Sequence, residues 1–451
     1  MAPVFSPGEV AAVCAAGLAE DAFSGAGSPI GERAVLMVDA EGARCPAFDR
    51  ASNGCRFYSV RPFDCRLYPL VLMYDAQGSG VLLGADLACP VVERLANTER
   101  LREYVAAAAR ILDKDLAETV RECRGMIGDY KPWMEHSIPL PNLSRLICRS
   151  DLGLRRVVPG AYKALRDFSE AAEPRLASHS LPAMGVWSDL FDLYWCVERG
   201  RVIVIAAGNG PAFLIAPPMG TGPLEPAIEA SAELLREING PDLPAQIQEV
   251  DDGQWPAFER LGFVVSREFR EYIYRREDLA SLAGRAYKGR RAARNHFVKH
   301  HNASFRPYRE EDLPECLSLF RKWQSQRAEA DPSPLSIAQL EASGSMFLCA
   351  LRNAEALGLR VRVVEADGSI VACTAGFAVP GGEQFAVLIE VADRSVKGVA
   401  TWCYQEFCRE AEGSEFINAM SDSGLPALAA AKEADRPVRL EGSRVACFAP
   451  K

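Results

Sequence analysis

Long apolar runs, early histidines and closely spaced cysteine pairs are all scarce in this chain. No stretch reaches the 18 or more apolar residues of a membrane span. The best candidate, Val202 to Met219, is interrupted by Gly208, Asn209, Gly210 and three prolines. Met1 to Glu9 has no basic stretch and carries an acid where an export signal would be apolar. A soluble, cytoplasmic protein with no integral membrane association is therefore expected. An excess of positive charge is also missing. With 51 Lys+Arg against 60 Asp+Glu, the net charge of -9 argues against nonspecific binding of the whole chain to nucleic acid or anionic membranes. The five histidines all lie at or after His136, which excludes a mixed Cys/His metal site within the segment from Cys45 to Cys89.

What is present is a globular composition, 49% hydrophobic and 25% charged, on 451 residues, enough for two to four domains. Fourteen cysteines are spread along it. In a reducing compartment these are buried small hydrophobes, metal ligands or nucleophiles. Four of them, Cys45, Cys55, Cys65 and Cys89, fall in a stretch rich in turn formers and poor in apolar runs. Such a stretch would bury little core alone, and a metal would supply the missing cross-link. Four thiolates suit a tetrahedral zinc or an iron–sulfur cluster, although no C-x-x-C pair is present. Ahead of them, Ser6, Pro7 and Glu9 form a capping-box signal for a first helix that carries Cys14.

The run from Cys55-Arg56-Phe57-Tyr58 through Arg61-Pro62-Phe63-Asp64-Cys65-Arg66-Leu67-Tyr68-Pro69, followed by a hairpin and Cys89-Pro90, resembles the YkgJ-like cysteine-cluster family. The resemblance covers about residues 10–130. It implies a zinc- or iron-chelating module with Cys45, Cys55, Cys65 and Cys89 as metal ligands. That family usually opens with a C-x-x-C-C cluster; here only Cys14 lies upstream, a candidate fifth ligand. Arg61 and Arg66 flank the cysteines and would favour thiolate. Val91 to Arg124 reads as helical, and Met126 to Leu146, with three prolines, reads as a boundary.

From about 185 onward the elements alternate. Arg201 to Ala207 is a β-branched run, Gly208-Asn209-Gly210 a hairpin signal, Pro223 to Ile238 an amphipathic helix and Gln246 to Val250 a strand. After Ser304 a similar series follows: Glu310 to Gln326 helical, then Leu357 to Glu365, Ser369 to Val379 and Glu383 to Glu390 as a meander. Val399 to Ala411 is read as helix, Phe416 to Asn418 as a short strand, and Leu425 to Glu433 as helix, with two terminal strands at the end. A meander feeding a helix and then a strand resembles the GNAT acyltransferase fold. The segments Glu271-Tyr272-Ile273-Tyr274-Arg275-Arg276, Leu282-Ala283-Gly284-Arg285 and Arg290-Arg291 to Asn295-His296-Phe297 resemble the C-terminal domain of phosphatidylglycerol lysyltransferase. So do Ile389-Glu390, Gly398, Asn418 to Leu425 and Lys432. This match spans about residues 155–451. It implies tandem acyltransferase-like folds and transfer of an aminoacyl or acyl group from a carrier, aminoacyl-tRNA in the lysyltransferases. The membrane half of those enzymes is not in this chain, so a lipid acceptor is not expected.

Between Gly284 and Lys299 stand Arg285, Lys288, Arg290, Arg291, Arg294 and Lys299, six cations in sixteen residues without an acid. Phosphates of tRNA or coenzyme A suit such a helix, because arginine forks match phosphate oxygens; a solvated helix face is the plainer alternative. His296 and His300, at i and i+4, share a face, and one could serve as general base. Asn418 and Asp422 match family positions beside the substrate cleft, or else make an ordinary turn and cap. The coenzyme A diphosphate turn, Arg/Gln-x-x-Gly-x-Gly/Ala, is degenerate here as Ser395-Val-Lys-Gly398-Val-Ala400. That favours aminoacyl-tRNA over acyl-CoA. Cys349, Cys373, Cys403, Cys408 and Cys447 read as core residues.

The expected architecture is α+β: a small Cys-rich metal-binding domain over 1–135, then two tandem GNAT-like α/β acyltransferase folds over 155–300 and 301–451. The expected function is transfer of an aminoacyl group from aminoacyl-tRNA, or less readily an acyl group from coenzyme A. The acceptor would be an amine or hydroxyl of a small molecule, peptide or protein. Asn418, Asp422 and His296 are the catalytic candidates. Arg285, Lys288, Arg290, Arg291 and Arg294 are the donor-binding candidates, with zinc or iron on the four cysteines. The competing reading is a metal-binding or redox-sensing protein whose acyltransferase fold is a non-catalytic platform.

Overall fold

The structure, a computed structural model, describes residues 3–19, 22–23, 32–33, 37–39, 42–208 and 210–448. Asn209 of the expected Gly208-Asn209-Gly210 turn lies outside them, as do Met1 and Ala2 of the segment read for an export signal. The strands that turn was to join, Arg201–Ala207 and Phe213–Leu214, do pair antiparallel. No helix of the described residues is long and apolar enough to cross a membrane. The chain divides into two compact units: Met1–Ala161 with Tyr194–Cys196, and Tyr162–Leu193 with Val197–Lys451.

In the first unit the capping box forms as its residues dictate. Ser6 Oγ accepts from the Glu9 amide at 3.4 Å, and Glu9 Oε2 accepts from the Ser6 amide at 2.9 Å, starting helix Pro7–Ala15. The second Glu9 oxygen accepts from the Phe63 amide at 2.7 Å, tying this helix to the cysteine-bearing segment. Ser6→Ala is expected to lower the stability of this unit by about 1 kcal/mol, seen as an earlier urea transition of the full-length chain. An unmoved transition would mean that the Glu9 half of the box suffices.

The segment expected to be one helix is three, Pro90–Leu95, Glu99–Asp115 and Ala117–Glu122. The first break is at Asn97, whose φ of 61° no helix accommodates. The proline-rich stretch read as a boundary is instead part of the unit. Strand Met134–Pro139 pairs with Val81–Asp86, which pairs with Leu70–Tyr74, and Leu140, Leu143 and Ile147 are buried behind them.

The second unit is mixed α+β and built on one continuous sheet. From Arg201–Ala207 the order runs Phe213–Leu214, Ala245–Asp251, Arg439–Phe448, Val264–Arg275, Phe416–Ser421, Gln384–Ala392, Ser369–Ala378, Arg360–Ala366 and Ala303–Pro307. The expected separation near residue 300 is bridged by hydrogen bonds. The C-terminal strand lies between Ala245–Asp251 and Val264–Arg275, so the last ten strand residues complete the earlier half. These residues form one strand where two were expected. The 19-residue helix Pro334–Arg352 carries no clean helical stripe, because Phe347 to Leu351 are all buried regardless of face. Periodicity therefore did not mark it.

A candidate active-site cleft where two parallel strands part

Strands Gln384–Ala392 and Phe416–Ser421 are parallel neighbours, but they are in register only through Gln384–Phe416, Phe385–Ile417 and Ala386–Asn418. Beyond that rung they separate, and two irregularities turn their side chains. Opposite Ala375 and Gly376 the first strand carries an extra residue, with Val387 and Ile389 as successive partners. Opposite Glu271 and Ile273 the second strand also shifts register, and Met420 takes a φ of 59°. Bulges of this kind re-aim side chains and recur beside active sites.

Past the first bulge, Glu390 faces the opening. Its strand neighbours Ile389 and Val391 are buried whereas Glu390 itself is exposed. Its carboxyl is nevertheless pushed above the usual range, chiefly by loss of hydration, with Asp435 adding to the rise and Arg290 and Lys432 opposing it. Accessibility combined with desolvation describes a group on the floor of a cleft, surrounded by protein but not covered by it. Helix Val399–Glu410 contributes Cys403, Tyr404 and Cys408 to its surroundings, each of which feels the Glu390 charge.

Asn418 sits at the apex, fully buried. Its amide donates to Glu271 Oε2 at 2.6 Å and to Gln384 Oε1 at 2.9 Å, and its oxygen accepts from the Met420 amide at 2.8 Å. Glu271 in turn accepts from the amides of Ala177 and Ser178 at 2.9 and 3.0 Å. The side chain of Asn418 is thus engaged within the scaffold by three hydrogen bonds. Asp422 closes one side: it accepts from the Tyr272 hydroxyl at 2.7 Å and from the Gly424 amide at 2.9 Å. Burial and that bond push the Tyr272 phenol up to about 12. The bond from the Gly424 amide is the turn contact expected of Asp422.

Lys432, on helix Pro426–Ala434, answers the carbonyls left over where the second strand diverges. Its Nζ donates to Ala419 O at 2.5 Å, Met420 O at 3.2 Å and Ser421 O at 2.6 Å. Burial lowers its pKa to about 8, against the raising influence of Glu390, Asp422 and Glu271. Lys432 and Glu390 appeared in the sequence only as matches to a family; what would have shown their role is the parting of the strands, which has no local sequence signature.

The basic helix is Lys288–His300, and most of its cations are already engaged. Arg290 is ion-paired to Asp435 and lies beside Glu390. Arg291 donates to the carbonyls of Leu282 and Gly284, closing the end of helix Arg276–Ser281. Arg294 bonds Gln405 at 3.0 Å and Asn295 at 2.9 Å. Arg285 and Lys288 remain exposed. Of the five donor-binding candidates, three guanidinium groups are thus engaged within the protein and two are exposed. His296 stands apart from the cleft floor. Its pKa is drawn down by burial and then by His300, Lys397, His301 and Lys299, whereas Glu390 responds to Arg290, Lys432 and Asp435.

In the first unit the cysteine expectation meets a different geometry. Cys45, Cys55 and Cys65 lie within electrostatic reach of one another, but Cys89 caps helix Pro90–Leu95 with its thiol against the Tyr68 hydroxyl. Among the described residues no group of three or more His, Cys, Asp or Glu side chains is placed to hold a metal ion. The four thiols as arranged do not form a ligand shell for zinc or iron. The expected thiolate activation is also reversed at Cys65: burial first, then Asp64, pushes its thiol up to about 12 against the lowering by Arg61. Arg61 and Arg66 lie over the rings of Tyr58 and Phe63, at 4.1 and 5.6 Å. Cys349, Cys373, Cys403 and Cys408 are buried, as core residues should be, and Cys447 is half-buried.

A mixed α+β unit with a single continuous sheet and a polar cleft between diverging parallel strands is the class that fold and site define. The family described as phosphatidylglycerol lysyltransferase, C-terminal, matches residues 171–445, and the chain belongs to it. Among solved structures, a conserved protein of unknown function from Bacteroides thetaiotaomicron is similar at 24% identity with a TM-score of 0.57, over 65% of this chain and 99% of that one. L-PGS from Bacillus licheniformis matches at 16% identity and a TM-score of 0.44, over 64% and 92%. A tandem GNAT protein from the clavulanic acid biosynthesis pathway matches at 12% identity and 0.39, over 66% and 98%. A search of curated proteins finds no match.

Proposed function

We propose that this chain is an aminoacyltransferase that moves an aminoacyl group from aminoacyl-tRNA to an amine or hydroxyl acceptor bound over Glu390. The observation that carries the reading is Glu390 itself, an accessible but desolvated carboxylate in mid-strand, flanked by Arg290 and Lys432. A carboxyl whose pKa is raised toward neutrality is a better-matched base than a fully hydrated one. In the proposed step the acceptor nitrogen or oxygen attacks the ester carbonyl carbon and its proton passes to Glu390. The ribose oxygen leaves from carbon and is protonated as the ester bond breaks. Holding the two reactants together supplies much of the rate, so no enzyme nucleophile is required.

Two observations support tRNA over coenzyme A as the donor. Arg285, just before the basic helix, and Lys288 at its start are exposed cations, suited to an extended phosphate backbone. The turn where a coenzyme A diphosphate would sit is degenerate, with Ser395 at the position of the arginine or glutamine.

The test is release of labelled amino acid from a panel of charged tRNAs, in parallel with acetyl-CoA turnover. Glu390→Gln is expected to slow aminoacyl transfer about 100- to 1,000-fold while tRNA binding is retained. Arg285→Ala with Lys288→Ala is expected to weaken tRNA binding and flatten its salt dependence by about two charges. Turnover of acetyl-CoA alone would overturn the donor assignment. Turnover of neither would favour the binding-platform reading.

A further inference from the structure

The first unit contains a cavity of about 680 Å3 that the acyl-transfer reading does not use. Its wall is assembled from the end of helix Glu99–Asp115, helix Ala117–Glu122, helix Pro141–Cys148 and the turn that follows. Four cations from these separate elements converge on it: Lys114, Arg121, Arg145 and Arg149. Two carboxylates, Asp113 and Asp151, share the lining.

The two acids offset only half of the four cations, so the concavity keeps an excess of positive charge. Asp113 is committed to the start of helix Pro141–Cys148, accepting from the Asn142 amide at 3.2 Å, the Asn142 side chain at 3.0 Å and the Leu143 amide at 3.0 Å. Lys114 and Arg121 are exposed and hold no ion pair among the described residues. Arg149 is held in place differently: its backbone is left-handed, with φ of 52°, and its guanidinium lies 5.5 Å from the centre of the Tyr194 ring. Two of the four cations have no carboxylate to match them in the lining, and an anion shared between cations relieves their repulsion. Leu143, Leu146 and Leu152 supply an apolar floor beneath the charged rim.

We propose that this cavity binds a small organic phosphate of about nucleotide size. Its phosphates bridge Lys114 and Arg121, and its less polar part rests on the leucine floor. Guanidinium forks and an ammonium match phosphate oxygens, and the volume lies within the range of about 300–1,000 Å3 that holds small molecules. The site lies wholly in the first unit, so it stands or falls separately from the transferase reading.

The experiment is calorimetric titration of the full-length protein with ADP and, separately, with inorganic pyrophosphate, alongside hydrogen exchange with each probe. ADP is expected to bind more tightly than pyrophosphate and to slow exchange over residues 113–122 and 141–152. Lys114→Ala with Arg121→Ala is expected to weaken ADP binding by at least about tenfold. Thermal unfolding should not move, since both side chains are exposed. Absence of binding, protection confined to residues 285–299, or wild-type affinity in the double variant would each overturn the site. Equal affinity for the two probes would overturn the organic part of the assignment.

Discussion

Gly398→Ala is expected to destabilise the second unit by about 3–5 kcal/mol, the sum of left-handed strain and backbone overlap. Two conditions meet at this residue. Its φ is +89°, and an added Cβ would lie 2.1 Å from Ala293 O, 2.8 Å from Ala293 C and 3.2 Å from Phe297 Cβ. The first two obstacles are backbone, so no side chain can swing aside; helix Lys288–His300 would have to lift from helix Val399–Glu410. Phe297, the buried anchor of the basic helix, packs with Val399 and Cys403 in one apolar cluster and would lose that seat. The Arg294 bond to Gln405 would be pulled apart with it. Gly381→Ala is the control, because Gly381 has a φ of +96° and nothing within 4 Å of its added Cβ. It should lose only about 1–2 kcal/mol, the left-handed strain by itself. Equal losses in urea unfolding of the two variants would show that the close approach at Gly398 has no energetic weight.

Gly398 also illustrates what was legible in the sequence. Its place in a turn before a helix could be read directly, as could the capping box at Ser6 and the strands Arg201–Ala207 and Ser369–Ala378, because each depends on neighbours within a few residues. The role of Gly398 could not be read, since it is set by a carbonyl more than one hundred residues earlier. The same limit applies to the cleft. Asn418 and Asp422 could be singled out from the sequence, but the hydrogen bonds that make Asn418 a strut come from Glu271 and Gln384. Charge density along the basic helix was correctly read as unusual. Which cations remain free was decided by Asp435, Gln405 and two backbone carbonyls that only folding brings near. The cysteine spacing suggested four convergent ligands, yet Cys89 is drawn to a helix start and to Tyr68 by its own local geometry.

Lys432→Met is expected to lower stability by about 2–4 kcal/mol at pH 7, since it orphans carbonyls and leaves carboxylates without their cation. Lys432 donates to the carbonyls of Ala419, Met420 and Ser421, and it is a cation acting on Glu390. Methionine preserves the aliphatic stem, so the loss reports the ammonium and not the packing. The pH dependence has a definite sign. The folded-state pKa is held down to about 8 by burial, against an ordinary value of 10.5. Below pH 8 both states are protonated and the linkage is flat. Between pH 8 and 10.5 the unfolded chain retains a proton that the folded chain has released, so the stability contributed by Lys432 rises with pH. The gap between wild type and Lys432→Met should therefore widen from pH 8 to pH 10 in urea titrations; a gap that narrows would mean that the ammonium is not desolvated. The same substitution should raise the Glu390 pKa further, because one of the two cations opposing its desolvation is removed. Transfer by Lys432→Met, where the fold survives, should then require a higher pH than wild type, linking the strand divergence that Lys432 closes to the base that the divergence exposes.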